Sequence, residues 1–280
     1  MAMIAWGISW TNAKVLGNFG DRSNIIFLRF LFATSAMVPI MLYRKIPLTI
    51  NREMGKNTAI AALMFSGYNW LFFKATHTGF AGAGGVLVTT LNPIFTFGLT
   101  VLISRRKINH RELLGLLLGF SGGLIILKIW AIDSHLLVAS GNIYFLAGSL
   151  FYAVITVFVS KKQTGVSSFT FIFWMYLFST FYLIPFVNFH SFTSLFITDL
   201  IFWGNLFMVS VGAMSFGTSV FIYSTKTLGP EKTSVFIFTV PVSALLTSMV
   251  FLHEPLDIFV ISGGALSIIA VYLINSKTLQ

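Results

Sequence analysis

The chain has 280 residues, 56% of them hydrophobic and only 9% charged, with a mean hydropathy of +0.87. A soluble domain carries about 25% charged residues to hold its hydrated shell, so this composition excludes a water-soluble globule and makes the bilayer the solvent. The formal charge of +10 comes without any nucleic-acid motif, and the lack of cysteine removes disulfides, thiol catalysis and Cys-bound metals.

A spanning helix takes roughly 20 largely apolar residues. Runs of that kind fall near 2–18, 24–43, 58–76, 82–104, 112–130, 141–160, 168–187, 200–224, 231–252 and 257–275. The N-terminal MAMIAWGISW has no charged n-region or small-residue cleavage site and reads as the start of the first, short span. Turn-forming segments such as NFGDRSN, SRRKINH, KKQTGVSS and TLGPEK separate the runs. Uninterrupted stretches such as LLGLLLGFSGGLIIL (113–127) exclude the alternating pattern of a membrane β-barrel. Thirteen of the 18 Lys and Arg residues fall in the even-numbered connections and the C-terminal tail. The positive-inside rule then places both termini in the cytoplasm. The expected fold class is an all-α membrane protein with ten transmembrane helices.

Five spans repeat as a second five. GYNWLFFKATHTG (67–79) aligns without gaps to GTSVFIYSTKTLG (217–229), and each is followed by an apolar span carrying a proline, Pro93 or Pro241. Gly115 and Gly263 each lie 22 residues beyond their proline. Because five is odd, the second copy enters the membrane from the opposite side. The division falls at residues 1–130 and 131–280, and inverted repeats of this kind place a site near the midplane and open it to either face in turn.

Together WGISWTNAK (6–14), LRFLFA (28–33), LFFKATHTGFAGAGGVLVTTLNPIFTFGLTVL (71–102) and GPEKTSVFIFTVPVSALLTSMVFLHEPLD (229–257) resemble the EamA-type, ten-helix branch of the drug/metabolite transporter superfamily. The resemblance implies a bacterial inner-membrane carrier or exporter whose cavity is walled by helices 1, 3, 4, 6, 8 and 9. Its substrates would be amino acids, purines or other small metabolites. Family members often carry Leu-Gly-Glu after the fourth and ninth spans; this chain has Ser104-Arg105-Arg106 and Leu252-His253-Glu254 there.

Polar and aromatic side chains within the spans are the candidate substrate contacts, because buried amides and hydroxyls need partners or a wet cavity. They are Trp10, Asn12, Tyr68, Asn69, Trp70, Lys74, Thr89, Asn92, Tyr152, Ser215, Ser219, Tyr223 and Thr239, with Pro93 and Pro241 as bending points. Lys74 stands out: it has no acid within a helical turn, and Trp70 lies one turn earlier, placed for a cation–π contact. Arg29 reads as an anchor of the outer end of span 2 or a partner of Asp21, and Lys14 likewise as a helix-end residue.

All eight acids (Asp21, Glu53, Glu112, Asp133, Asp199, Glu231, Glu254 and Asp257) fall at span ends or in loops, which disfavours proton-coupled export of cations. No paired aspartates, Ser–His arrangement or HExxH motif lies within the spans, so neither an enzyme nor a metal or cofactor site is expected. The expected activity is secondary transport of a small neutral or zwitterionic metabolite, by export or exchange, in a monomer or homodimer without nucleic-acid partners. A nucleotide-sugar or organic-phosphate carrier is the alternative; it would want more central Lys or Arg than this chain offers.

Overall fold

The computed structural model describes residues 1–78, 81–131, 142–163, 165–192, 199–243 and 258–276. It is all-helical, at 88% helix, with no strand among the described residues. In chain order the helices are α1 (Ala2–Leu16), α2 (Arg22–Tyr43), α3 (Arg52–Thr78), α4 (Ala81–Ser104) and α5 (His110–Leu127). There follow α6 (Asn142–Lys162), α7 (Ser168–Leu183) and α8 (Leu200–Leu228). Helix α9 starts at Pro230–Val235 and tightens to a 3₁₀ turn over Phe236–Thr239; α10 is Ile258–Asn275.

The expected spans overlap these helices, the ninth only over its first half, and short helical turns also occur at Ile129–Ala131, Ile184–Phe186 and Phe189–Phe192. Among the described residues, five helical stretches are long and apolar enough to cross a membrane: Arg22–Tyr43, His110–Ala131, Ile143–Lys162, Ser168–Phe186 and Leu200–Leu228. Val88–Ser104 and Ile261–Asn275 are shorter apolar helices. The second half of the ninth run, with Leu252-His253-Glu254, lies outside the described residues, as do Asp133 and Asp257.

Helix starts follow from side-chain capping of the first free amides. Asp21 accepts from the Ser23 N–H at 2.8 Å, Ser167 from Phe169, and Asp199 from Ile201 and Phe202. Asn109 and Glu112 form a capping box on α5. Outward faces are strongly apolar, with Leu42, Leu102 and Tyr272 each about 70% exposed, as fits a chain whose solvent is hydrocarbon. Phe30, Phe65, Phe73, Phe171 and Tyr176 are buried where α2, α3 and α7 meet.

Two local departures from regular helix shape the interior. In α8 the segment Met208–Thr218 is π-helical, eleven residues long, and its carbonyls receive donors from three neighbours. Trp6 Nε1 of α1 donates to Ala213 O (3.0 Å), Arg29 Nε of α2 to Val209 O (3.2 Å), and Tyr176 Oη of α7 to Met214 O (3.0 Å). In α9, Pro241 has no N–H for the carbonyl four residues back. That carbonyl, on Ile237, instead accepts from the Val240 N–H, which is the 3₁₀ turn.

Helix pairing is extensive: α5 packs along α10, α3 on α6 and α7, α8 on α1 and α2, α2 on α7, and α4 on α5, α6 and α9. The α5–α10 crossing is close because it uses glycine. A Cβ on Gly122 would sit 2.6 Å from Gly263 O, and one on Gly263 would sit 2.5 Å from Gly122 O. Close approach of this kind is how helices associate in lipid, where hydrophobic burial gives no drive. Gly122→Val is therefore expected to lower stability by about 1–3 kcal/mol through overpacking. Gly98→Ala, where a Cβ meets nothing within 4 Å, should be neutral or stabilising by up to ~1 kcal/mol. Thermal melts of the two purified variants check this; an unchanged Gly122→Val melt would contradict the packing described.

Candidate substrate cavity

A cavity with about 540 Å³ of empty space, part of it open to the surroundings, lies among α1, α2, α3, α4, α6, α8 and α9. Helical periodicity explains its walls. Trp6, Ser9 and Trp10 form one stripe on α1, and Phe65, Tyr68, Asn69 and Phe72 form an i, i+3, i+4, i+7 stripe on α3. Helix α4 adds Val88, Thr89 and Asn92; Arg29, Tyr152, Thr218 and Ile237 come from α2, α6, α8 and α9.

The aromatic members brace one another. Trp6 meets Tyr152 edge-on at 5.7 Å between ring centroids, Trp10 meets Phe72 at 4.8 Å, and Tyr68 meets Tyr152 at 4.8 Å. Ser9 donates to Trp6 O within its own helix, and Asn92 Nδ2 donates to Ser149 O at 3.1 Å. The cavity is thus mostly apolar with a few fixed polar groups, the composition of ordinary small-molecule sites.

Arg29 is a correction to the sequence reading. It is neither a helix-end anchor nor a partner of Asp21, whose carboxylate caps α2. The side chain is 7% exposed and lines the cavity. Its Nη1 donates to Asn69 Oδ1 at 2.9 Å and its Nε to Val209 O, while the guanidinium lies 5.6 and 5.4 Å from the Phe72 and Phe73 ring centroids. Arg29 sits two turns inside α2, about 10 Å from its first residue. That depth, together with the α1 and α3 stripes, was the available signal for it and for Trp6, Ser9, Phe65 and Phe72. The contributions of Val88, Thr218 and Ile237 had no comparable signature.

Of the candidate contacts, Trp10, Tyr68, Asn69, Thr89, Asn92 and Tyr152 line the cavity. The others do not. Asn12 Nδ2 donates to Asn205 Oδ1, and Ser215 Oγ donates to Ala33 O. Thr239 bonds within its own 3₁₀ turn, Ser219 is buried beside Thr218, and Tyr223 is half exposed on α8. Lys74 holds its ammonium 4.8 Å from the Trp70 ring and 4.3 Å from that of Tyr144, a cation–π arrangement away from the cavity. Trp70 itself borders a separate apolar recess with Leu63, Tyr182 and Phe186.

A second polar cluster lies at one end of the bundle. Arg106, in the α4–α5 connection, holds Glu112 of α5 at 2.8 and 3.1 Å and pairs with Glu231 of α9 through its Nε and Nη2. Its guanidinium also lies 5.1 Å from the centre of the Phe97 ring. Its hydrogen bonds first to Glu231 and then to Glu112 push the Arg106 pKa upward, so the cation is firmly held.

Apolar helices wrapped around a polar–aromatic cavity define a multi-pass membrane protein of the transporter class. The chain belongs to the EamA-like transporter family, whose sequence profile matches residues 1–128 and 139–276, and hence to the drug/metabolite transporter superfamily. It is 24% identical over 277 residues to an uncharacterized transporter of Archaeoglobus fulgidus, covering 97% of this chain and 95% of that protein. It is likewise 24% identical over 290 residues to the uncharacterized transporter YvbV of Bacillus subtilis, covering 99% and 90%. A solved crystal structure matches with a TM-score of 0.75 at 15% identity, over 98% of this chain and 93% of its own, which shows a shared fold. Family and relatives are transporters, not enzymes.

The Arg106 cluster generates a stability prediction. Arg106→Gln should cost on the order of 1 kcal/mol, the upper end for a partly exposed ion pair, and Lys107→Gln should cost nothing. Equal melting temperatures for both variants and the parent chain would show that the clamp adds no stability.

Proposed function

We propose that this chain is an alternating-access secondary carrier that moves a small neutral or zwitterionic metabolite, of amino-acid or purine size, across the bacterial inner membrane by export or exchange. The observation that carries the proposal is the cavity itself, which draws side chains from helices of both halves of the chain. On this reading Trp10, Tyr68, Asn69, Thr89, Asn92 and Tyr152 contact the solute, joined by Trp6, Ser9 and Arg29.

We read the architecture as two inverted five-helix repeats, residues 1–130 and 131–280, with both termini cytoplasmic. Helix pairing supports this. Exchanging α1–α5 with α6–α10 turns the α3–α6 and α3–α7 contacts into α8–α1 and α8–α2, while α5–α10 and α2–α7 map onto themselves. At residue level, the 148-residue offset from Pro93 to Pro241 turns the Gly122–Gly263 approach into one between Ala270 and Gly115. A Cβ on Gly115 would indeed sit 3.2 Å from Ala270 O. The family profile also matches on either side of the division.

Pro93 and Pro241 are the bending points in this reading. Thr89 and Ile237, each four residues before its proline, both line the cavity, so a change of bend at either proline moves a wall of the site. Arg106 fastens the α4–α5 connection to α9 at one end, where opening would require its release.

Because the chain has no cysteine, the mechanism can be tested without background. Thr89→Cys in sealed right-side-out and inverted vesicles should react with a membrane-impermeant methanethiosulfonate from both sides. Reaction from one side only, in both preparations, would overturn alternating access through this cavity.

A further inference from the structure

We infer that the transported solute carries a single carboxylate, which docks on the free amino edge of Arg29, with an apolar or aromatic body held against the cavity rings. The inference rests on the cavity being the solute site. A guanidinium has five N–H donors in a planar fork suited to a carboxylate. Those of Arg29 that are engaged, one on Nε and one on Nη1, go to neutral oxygens, Val209 O and Asn69 Oδ1. Its Nη2 makes no hydrogen bond to any described residue.

No described acid neutralises it. Asp21 and Asp199 cap helices, Glu112 and Glu231 hold Arg106, and Glu53 lies in the first turn of α3. A 7% exposed cation in an apolar bundle, with no counter-charge among the described residues, is costly to bury, and such residues mark substrate pathways in membrane proteins. Electrostatics select the complement. One fixed positive charge repels a cationic solute and matches one negative charge, whereas a doubly charged phosphate calls for several donors with more than one cation. Rings from Trp6, Trp10, Tyr68 and Tyr152 border the same space and supply a surface for an apolar body.

The test pairs 3-phenylpropionate with 3-phenylpropionamide, which share a body and differ in charge, and adds phenyl phosphate as a third probe. Each is titrated into the purified chain, followed by thermal shift and by protection of Thr89→Cys from the methanethiosulfonate. The carboxylate should raise the melting temperature and protect the cysteine, with the amide roughly tenfold or more weaker. Asn69→Asp is the decisive variant. It places a carboxylate where the amide oxygen now sits 2.9 Å from Nη1, so it should fold at least as stably as the parent yet lose the response to 3-phenylpropionate. Arg29→Gln should lose it too, and Arg29→Lys should keep part of it.

Equal responses to acid and amide, or an undiminished response in Asn69→Asp, would overturn the inference while leaving the cavity as the solute site. Stronger stabilisation by phenyl phosphate would transfer the site to organic phosphates. Thermal shifts without any protection of Thr89→Cys would instead move binding away from the cavity and remove the reading on which the inference stands.

Discussion

A polar group carried into an apolar bundle is costly unless it finds a partner inside, and much of this interior is arranged around that constraint. The hydroxyls of Thr34, Ser66, Thr76 and Thr180 solve it locally, donating to carbonyls three or four residues back on their own helices. Long donors cannot do so. Trp6, Arg29 and Tyr176 reach from α1, α2 and α7 to one shared acceptor, the π-helical stretch of α8. In a π segment the carbonyls are free to take such side-on donors, and π segments inside helices are frequent at functional sites. The stretch is therefore a docking platform for three other helices, and it fixes where two of them, α1 and α2, place Trp6 and Arg29 in the cavity wall.

Held this way, the helices have little else to bind them, since lipid tails are as apolar as leucine. Small residues at crossings then matter more than large ones. Gly122 and Gly263 bring α5 and α10 into backbone contact, and a Cβ on Gly217 would stand 2.9 Å from the Trp6 indole. The second contact joins packing to the site, because Trp6 both fills the space over Gly217 and forms the cavity wall. A side chain at position 217 would push Trp6 off its hydrogen bond to Ala213 O and into the cavity.

How much of this was legible in the sequence depends on the physics that sets each feature. Helix positions were readable because a span must hold roughly 20 apolar residues and loops must carry turn chemistry. The α1 and α3 stripes were readable in principle, since residues three and four apart share a face. The π segment was not: Met208–Thr218 is composed like any apolar helix, and its register is set by what docks on it. The contrast between Lys74 and Arg29 is of the same kind. Both are basic residues inside apolar runs, and one-dimensional reading favoured Lys74 for its isolation from acids. Tertiary structure gives Lys74 two aromatic faces outside the cavity and gives Arg29 only neutral oxygens and rings within it. Helix orientation, which decides this, has no signature in local composition.

A duplicated scaffold that reads alike from both sides would bind its solute symmetrically unless the two copies diverged at the cavity. On the proposed repeat they have. Tyr68 and Asn69 of α3 correspond to Thr218 and Ser219 of α8, and Thr89 of α4 corresponds to Ile237 of α9. The first copy keeps the ring, the amide and the hydroxyl; the second offers smaller or apolar side chains, together with the π carbonyls that receive Arg29 and Trp6. On the proposed function the solute would be recognised chiefly by the first copy, against a second that supplies acceptors and space. Such a division of labour suits a carrier, because the groups that set selectivity can stay with the solute on one set of helices while the other set rocks past them. On the same proposal, the clamp at Arg106, which joins the α4–α5 connection to α9, would weight one of the two openings against the other.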